Sequence, residues 1–400
     1  MTGCRQAHDN GDIVVKGIWQ LAFAAFVVPL LAACTAKAPD VAREDREPDE
    51  QAEVDPLLSA AGIAHAVVAE SFVTAATPEE NIDSPASWRA PDGTRWLVAT
   101  AKATDRLVVY DGNTGRQLRM VGGSGTAPGQ LQRPNGIAIV DDPGSGPGRG
   151  LLLVVERDNH RVQVFALPSF APLLVFGAED LVQPYGLWLR GHGDGYEVIV
   201  SDNYMSPRDD DVPPPLAELD RRFRRYRLLR DGDEWRAELV GTFGETSEAG
   251  AIRIAESVFG DEDNDRLLLA EEDVATGTRL REYGLDGRYR GRDIGAGLFK
   301  AQAEGMALAR CADGGGYWIA TDQFKDRSLF HVFDRVTLRH LGAFAGNRTA
   351  NTDGVWLDQS GDARFPEGVF YAVDDDKAVA AFDWRDIARA LSLPACRRVE

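Results

Sequence analysis

The chain has 400 residues, with 63 acidic and 44 basic side chains and a formal net charge of −19. This balance excludes nucleic acid as the main partner, because phosphate backbones are bound by clustered lysine and arginine. Apolar residues make up 44% of the chain, which is enough for one large all-β domain or two ordinary domains with a sizeable core.

The N-terminal region has the pattern of an export signal. Residues 18–33 form an apolar run that follows Lys16 and ends in small residues directly before Cys34. The run is short for a membrane-spanning helix and is typical of a secretory signal peptide, which we place at residues 1–34. Its end resembles the bacterial lipobox. This implies lipidation of Cys34 and, with Thr35 rather than Asp next, an exported outer-membrane lipoprotein that faces the periplasm or the cell surface. A plain cleaved signal is the alternative.

The mature chain divides into a linker and a folded domain. Residues 35–60 are rich in Asp, Glu, Pro and Ala and lack apolar periodicity, which predicts a disordered acidic linker. The folded domain then covers residues 61–400. Its two cysteines, Cys311 and Cys396, could pair in an oxidising compartment, but the sequence leaves their pairing open.

Residues 253–283 show the unit from which the domain is built. A short apolar strand carries Glu256 and is followed by an acidic turn at 261–265. The apolar run at 267–270 is typical of a strand that is buried on both faces, and 278–283 alternates like a further strand.

The same theme recurs six times, at intervals of roughly 45 to 65 residues. The units begin near residues 83, 122, 183, 253, 303 and 351. Each small sheet cannot bury both faces alone, whereas six sheets in a ring bury all of them and leave only short edges. The sequence therefore predicts an all-β fold, a six-bladed β-propeller. A β-sandwich followed by a second domain is the alternative, and the even spacing disfavours it.

Three segments interrupt or extend this pattern. Residues 141–149 predict a flexible loop, and residues 206–222 predict a lid or a short helix within the third unit. Residues 384–393 have helical spacing and stop at Pro394, so they predict a C-terminal helix that packs across the ring.

Chemistry is indicated by acids rather than by an enzyme motif. The sequence has no nucleophile elbow, phosphate-binding loop or dinucleotide fingerprint, and its six histidines show no transition-metal spacing. Carboxylates recur at strand ends, and a ring would bring equivalent positions to one mouth of its channel. Oxygen-rich sets of this kind select Ca²⁺, although many such acids simply cap loops. The candidates are Asp83, Asp202, Glu256, Glu271, Glu272, Glu304, Asp322, Asp353 and Asp374.

From Asp83 to the C-terminus the chain resembles the β-propeller phytases, which are Ca²⁺-dependent phosphomonoesterases. The similar segments, in chain order, are residues 83–88 (DDPAIW in the family), 185–186 (YG), 256–273 (EG…AEED), 304–305 (EG), 352–354 (TDG) and 365–370 (PxG(I/V)F).

This resemblance implies a cluster of Ca²⁺ ions that orients a phosphate monoester and activates a water molecule for in-line attack. The implied metal ligands are Asp83, Glu256, Glu271, Glu304, Gln323 and Asp353. The implied catalytic residues are Lys102, Arg157 and Tyr185. The expected substrate is a small inositol phosphate-like molecule, and we expect a monomer that meets the membrane only through its lipid anchor.

Three positions depart from the family pattern. Lys102 stands alone where the family has paired lysines, Asn203 falls where the family has a lysine, and Gln302 falls where it has an Asp. Fewer cations predict weaker capture of a highly phosphorylated substrate such as phytate.

One unit resembles a different family. Residues 125–138 and 156–165 are similar to a single NHL repeat. NHL propellers are often binding modules without catalysis, so the alternative is a non-catalytic propeller that binds a protein or a glycan at the cell surface. A propeller hydrolase of another kind, such as a lactonase, is the third reading.

Overall fold

The computed structural model describes residues 56–142, 144, 146, 148–209, 212–232 and 234–396. The predicted signal peptide, Cys34 and most of the predicted linker therefore lie outside the described residues. Within those ranges, no helix is both long enough and apolar enough to span a bilayer.

The described chain is almost entirely β-strand. It begins with helix α1 (Leu58–Ala61) and two short strands, β1 (Ala66–Val67) and β2 (Phe72–Val73). Blade one consists of β3 (Ile82–Arg89), β4 (Arg95–Ala101), β5 (Arg106–Asp111) and β6 (Gln117–Gly122). Blade two consists of β7 (Pro134–Asp141), β8 (Gly150–Glu156), β9 (Arg161–Leu167) and β10 (Ala171–Phe176). Blade three consists of β11 (Pro184–His192), β12 (Gly195–Asp202), β13 (Phe223–Asp231) and β14 (Glu234–Phe243).

Blades four to six consist of β15 (Ala255–Asp261), β16 (Arg266–Glu271), β17 (Arg279–Tyr283), β18 (Tyr289–Ile294); β19 (Ala303–Arg310), β20 (Gly316–Asp322), β21 (Leu329–Asp334), β22 (His340–Ala345); and β23 (Val355–Asp358), β24 (Val369–Asp374), β25 (Ala378–Asp383). Helix α2 (Trp384–Ala390) follows.

The six sheets form a closed ring. Each blade is an antiparallel meander whose strands follow chain order from its inner to its outer edge. The first strands of successive blades, β3, β7, β11, β15, β19 and β23, contact one another in that order, and β23 returns to contact β3. The predicted six-bladed β-propeller is confirmed.

The N-terminal segment completes two blades. Strand β2 supplies the outer strand of blade six, where Phe72 pairs antiparallel with Ala381, and β1 extends blade five parallel to β22. Because the two ends of the domain share one sheet, the ring cannot open at blade six without breaking these pairs. Leu58 of α1 is buried, and its N–H donates to Asp326 Oδ1 at 2.7 Å, so the packed chain begins before the expected boundary at residue 61.

The core lies between neighbouring blades. Val98 and Leu107 of blade one, for example, belong to one buried cluster with Leu152 and Val154 of blade two. The middle strands are buried on both faces, which explains their continuous apolar runs. The outer strands are largely exposed and their patterns are weak, as in β6, so the sequence did not reveal them.

Small residues line the axis. A Cβ atom at Gly136 would lie 2.6 Å from the carbonyl oxygen of Tyr185, and one at Gly354 would lie 2.7 Å from that of Asp83. The register of the first strand shifts at this level, for example between Pro134 and Ile137. Such a bulge changes the direction of the side chain beside it. In this strand the residue affected is Asn135, directly before Gly136.

The C-terminal helix forms as predicted. Asp383 caps α2 by accepting a hydrogen bond from the Arg385 N–H at 2.9 Å. Trp384 and Ile387 pack into the cluster shared by blades five and six, so the helix covers those two blades rather than crossing the whole ring.

The cysteine pairing that the sequence left open is present. Cys311 and Cys396 form a disulfide bond, which ties the C-terminal tail to blade five. The insertion at 206–222 carries one short 3₁₀ helix, Leu216–Glu218.

Candidate functional site

One position recurs at the start of the first strand in every blade, directly before the small residue on the axis. Its occupants are Asp83, Asn135, Tyr185, Glu256, Glu304 and Asp353. The first strands run in the same direction around the ring, so these side chains gather at one end of the channel, which we call the upper mouth. The channel has a volume of about 70 Å³ and is lined by residues of all six blades.

Two of these acids share a lysine. Lys102 Nζ lies 3.1 Å from Asp83 Oδ1 and 3.9 Å from Asp353 Oδ2. Gln323 Nε2 donates to Asp353 Oδ1, and Lys325 Nζ donates to Gln323 Oε1 at 2.8 Å. Residues that the sequence keeps far apart therefore form one polar network at the upper mouth.

Glu304 lies at the centre of a repulsive group. Burial raises the pKa of Glu304 well above its usual range, and the charges of Glu272, Glu256 and Asp353 raise it further, while Lys325 opposes them. The side chain is only 3% exposed, so solvent cannot screen this repulsion.

Asp353 is in the same position electrostatically. Burial raises the pKa of Asp353 well above its usual range, and Asp376 and Asp83 add to this effect against Lys102 and Lys325. The upper mouth thus gathers six carboxylates against two lysines. They are Asp83, Glu256, Glu272, Glu304, Asp353 and Asp376, with Lys102 and Lys325.

A second set of acids does different work. Glu271, the last residue of β16, accepts hydrogen bonds from the N–H groups of Arg253 at 2.8 Å and Ile254 at 3.0 Å. It therefore holds the loop that leads into its own first strand. Burial raises the pKa of Glu271 to about 7. Glu271 was expected as a metal ligand, and that role stays a prediction; in this structure its oxygens accept hydrogen bonds from backbone amides. The charge of the adjacent Glu272 acts on Glu304.

The arrangement around Glu271 repeats around the ring. Asp202 accepts from the N–H groups of Val182 and Gln183, and Asp322 accepts from those of Lys300 and Ala301. Glu156 and Asp374 accept in the same way from Gln132 and Ala350. We call Glu156, Asp202, Glu271, Asp322 and Asp374 the strand-end acids, because each closes the second strand of its blade.

The three expected catalytic residues are placed differently. Lys102 lies between two acids of the upper mouth, and Tyr185 lines the channel with Glu256. Arg157 lies at the same end of the ring, where its N–H donates to the carbonyl oxygen of Arg133 at 3.1 Å.

Among the described residues, the side chains that the Arg157 guanidinium is seen to contact are Asp158 and Gln183, not the acids of the upper mouth. It reaches Asp158 at 3.4 Å and, with the Gln183 amide assigned so that its hydrogen bonds are satisfied, Gln183 Oε1 at 3.1 Å. The side chain remains 20% exposed.

Sequence reasoning did not select Asn135, Lys325 or Asp376. Asn135 is fully buried, and neither its amide nitrogen nor its amide oxygen has a hydrogen-bond partner. Asn135 could have been found, because it precedes a glycine just as Glu304 and Asp353 do. No comparable sequence signal marks Lys325, whose approach depends on how its loop folds.

The donor set fits a hard cation. It consists of carboxylate and amide oxygens without Cys or His, which is the chemistry that Ca²⁺ prefers. Buried amides normally have a hydrogen-bond partner, and that of Asn135 has none among the described residues. Its oxygen is therefore a further buried atom that a cation could bind. In the geometry described, residues 56–396 outside the small gaps contain no group of three or more His, Cys, Asp or Glu side chains that is already close enough to hold a metal ion.

No protein-family model matches the chain, and no curated protein matches its sequence. Solved structures do match the chain, and three examples are all of low similarity. BBS1N in complex with ARL6DN aligns with a TM-score of 0.45 and 10% identity over 80% of this chain and 97% of that one. Hydrazine synthase from Kuenenia stuttgartiensis gives 0.45 and 13% over 80% and 82%. A luciferin-regenerating enzyme gives 0.46 and 10% over 80% and 96%. At this level they say nothing about function, and the fold rests on the sheets and their ring contacts.

Proposed function

We propose that the chain is an exported, lipid-anchored, Ca²⁺-dependent phosphomonoesterase of the β-propeller phytase type. One observation carries the proposal. Acids from four blades, Asp83, Glu256, Glu304 and Asp353, gather at one mouth of the ring, where burial and mutual repulsion raise the pKa of Glu304 and Asp353. Mutual repulsion within this set of acids costs folding stability, and a bound cation would neutralise that repulsion.

The residues that would hold Ca²⁺ are Asp83, Glu256, Glu304 and Asp353, with Gln323 and Glu272 beside them. When bound, Ca²⁺ supplies the positive charge that lets an anionic phosphate approach and that acidifies a water molecule. The acids of the mouth fix the position of that charge, because their strands are held by the ring.

The two lysines attract and orient the phosphate. Lys102 and Lys325 lie at the acids' own level. Lys102 can turn from the Asp83 carboxylate, and Lys325 from the Gln323 amide oxygen, to a phosphate oxygen with little movement. Arg157, partly exposed at the same end, is placed to bind a further phosphate oxygen with its planar fork.

The channel limits what can enter. Its volume of about 70 Å³ is far below the roughly 300 Å³ at which ordinary ligand pockets begin, so an inositol ring is not expected to enter it. The substrate is therefore expected to lie on the upper mouth and to present one phosphate group to the acids, with its remaining phosphates toward the rim.

Export is supported by the Cys311–Cys396 bond. Structural disulfides persist in oxidising compartments and are rare in the cytosol. Lipid attachment at Cys34 remains a prediction from the sequence.

The direct test is phosphate release from p-nitrophenyl phosphate and from phytate, measured in Ca²⁺ and again in excess EGTA. We expect Ca²⁺-dependent release that EGTA abolishes, with the simpler ester preferred because the mouth has few cations. The test variant is Glu304→Gln, which should lose Ca²⁺-dependent release. Its matched control is Asp322→Asn, which alters a strand-end acid of the same blade and should retain that release.

Other outcomes select another function. If no phosphate is released but EGTA lowers the melting temperature, Ca²⁺ is structural and the protein is a non-catalytic binding propeller. Hydrolysis of lactones with phosphate esters left intact would identify a lactonase instead.

A further inference from the structure

The opposite end of the ring, which we call the lower mouth, carries a second and larger cavity. It has a volume of about 260 Å³ and lies at the level where the first strands end. Most of its lining is apolar and comes from successive blades, and it includes Ile139, Leu189, Phe259, Leu308 and Trp356. Concave apolar cavities with few polar groups are the usual form of small-molecule sites.

One cation stands in this apolar lining. Arg310, the last residue of β19, is half-buried at the lower mouth. Its guanidinium makes a single long hydrogen bond, from Nη2 to the carbonyl oxygen of Gly260 at 3.4 Å. No other acceptor lies within hydrogen-bonding distance of its remaining N–H groups in the described part of the chain.

The backbone of Arg310 is fixed even though its side chain has few partners. The Arg310 N–H donates to Gln359 Oε1 at 2.8 Å, and Gln359 Nε2 donates back to the Arg310 carbonyl oxygen at 3.0 Å. The reciprocal pair links blades five and six below the channel. The guanidinium therefore projects from a rigid base, which lowers the entropy lost when it binds a ligand.

Two acids near this cation form no ion pair with it in the described part of the chain. Arg335, which the Asp263 carboxylate contacts at 2.5 Å, is the main cause that lowers the pKa of Asp263, and the Arg310 charge adds only a smaller part. Glu262 lines the cavity and is solvent-exposed at its rim. The guanidinium is therefore weakly partnered in a chain of net charge −19. That net charge repels anions at long range, so an anion that binds here needs an apolar part whose burial offsets the repulsion.

We propose that the lower mouth binds a small aromatic carboxylate. The carboxylate accepts two hydrogen bonds from the Arg310 fork. The flat apolar body stacks in the cavity beside Phe259 and Trp356. At roughly 20 Å³ per non-hydrogen atom, the cavity accommodates about a dozen such atoms. The cavity shares Leu187, Phe259 and Trp356 with the channel but lies at the end away from the upper-mouth acids, and the proposal does not depend on the phosphatase proposal.

The test uses 2-naphthoate and its neutral analogue 2-naphthamide, titrated by calorimetry into the purified protein. We expect the acid to bind about tenfold more tightly than the amide, since a bidentate charged pair adds about that factor. Arg310→Gln should remove this preference, and Arg310→Lys should keep part of it. Leu189→Ser should weaken both ligands alike, because it alters only the apolar lining.

Two controls separate the site from the rest of the molecule. Arg89 lies at the same end of the ring, where it contacts Gly93 and Gly361, and Arg89→Gln should leave both affinities unchanged. EGTA should also leave them unchanged, which separates this site from the upper mouth. Thermal melts verify that each variant is folded.

The proposal is overturned if the acid and the amide bind equally, if Arg89→Gln lowers acid binding as much as Arg310→Gln does, or if neither compound binds. Acetate and inorganic phosphate should not bind here, because they bury no apolar surface. Tight binding of either would also contradict the proposal.

Discussion

The acids of the upper mouth and the strand-end acids lie at the same end of the ring, yet they are held by opposite means. Asp202 accepts two backbone N–H groups and pairs with Arg224 at 2.9 Å. Glu304, one strand closer to the axis in its own blade, is surrounded by other carboxylates. Burial raises the pKa of Asp202 as well, but the two N–H groups and Arg224 oppose that rise. The strand-end acids therefore satisfy the backbone and help to hold the blades. Mutual repulsion among the upper-mouth acids lowers the stability of the folded protein, and a cation bound among them would restore that stability.

Substitution of an upper-mouth acid should have its largest effect on catalysis. Glu304→Gln should lower Ca²⁺-dependent phosphate release by about a thousandfold, because a ligand of the charge that stabilises the transition state is lost. In EGTA the same variant should melt no earlier than the wild type, because it removes a carboxylate that its neighbours repel. Initial rates and thermal melts measure the two effects.

Asp322→Asn is the matched control for that experiment, since Asp322 belongs to the same blade and the other set. It should keep its rate within about threefold and melt earlier, because the charged carboxylate shared by two backbone N–H groups is replaced by a neutral amide with a single accepting oxygen. An active Glu304→Gln enzyme would contradict the division, as would one that melts early in EGTA.

The next effect is on stability. Asp202→Asn should lower the free energy of unfolding by about 3 kcal/mol, because it breaks a buried ion pair and leaves the Arg224 charge without its partner. Urea denaturation measures this loss. Activity well below the melting range should persist, since Asp202 does not face the upper-mouth acids.

An exposed ion pair provides the reference for this loss. Asp220 and Arg221 lie 3.9 Å apart and are both largely exposed. Asp220→Asn should therefore cost less than about 0.5 kcal/mol. Equal losses from the two variants would show that burial of the strand-end acids is not what makes them stabilising.

A smaller effect is expected at the lysine between two acids. Lys102→Gln should raise KM for p-nitrophenyl phosphate about tenfold and change kcat much less, because one charge that captures the phosphate is lost. Steady-state kinetics separates the two constants. Lys377→Gln is the control, since Lys377 pairs with Asp375 on a partly exposed turn and should leave both constants unchanged. A fall in kcat alone would place Lys102 in the chemical step instead.

The smallest effect concerns pH, on the side of the strand-end acids. His331 lies between Asp322 Oδ2 at 3.5 Å and His340 Nε2 at 3.1 Å. Burial and the charge of His331 together lower the pKa of His340 to about 4, against the opposing effect of a hydrogen bond with the Gly342 backbone. The unfolded chain therefore binds more protons between about pH 4 and 6.5, so stability is lost as the pH falls through that window.

Because His340 is only half-buried, solvent screening reduces this loss to about 1 kcal/mol. Urea midpoints at both ends of the window measure it. His340→Gln should flatten the acid side of the profile, whereas His65→Asn, in the segment before β1, should not. An unchanged profile in His340→Gln would remove His340 as the cause.

Local pattern was sufficient for much of the fold. The apolar runs of the middle strands, such as Leu267 to Ala270, identify strands that are buried on both faces, and their spacing gives six units. The outer strands were missed because one face is exposed to solvent and their sequences carry little periodicity. Strand β2 was missed because Phe72 and Val73 are too few to signal a strand without Ala381 beside them.

The site was predictable in part for the same reason. Polar residues before a small residue, as at Glu304 and Asp353, repeat with the blades, so the sequence pointed to them. Successive residues at a strand end point to opposite sides, and the sequence does not say which side faces the upper mouth. The roles of Glu271 and Glu272 therefore could not be assigned from the sequence. Only the fold directs the first to backbone amides and the second to Glu304.

By itself, the sequence determined that the chain forms six similar sheets and that a helix follows, because these properties depend on contacts between residues close in the chain. Closure of the ring needs β23 against β3 and β2 against β25, which lie far apart in the chain. The tertiary structure decided which acids meet, which of them are satisfied by the backbone, and that Lys102 and Lys325 reach the upper mouth. Those outcomes depend on distances across the axis, between residues that the chain separates by whole blades, and no local pattern encodes them.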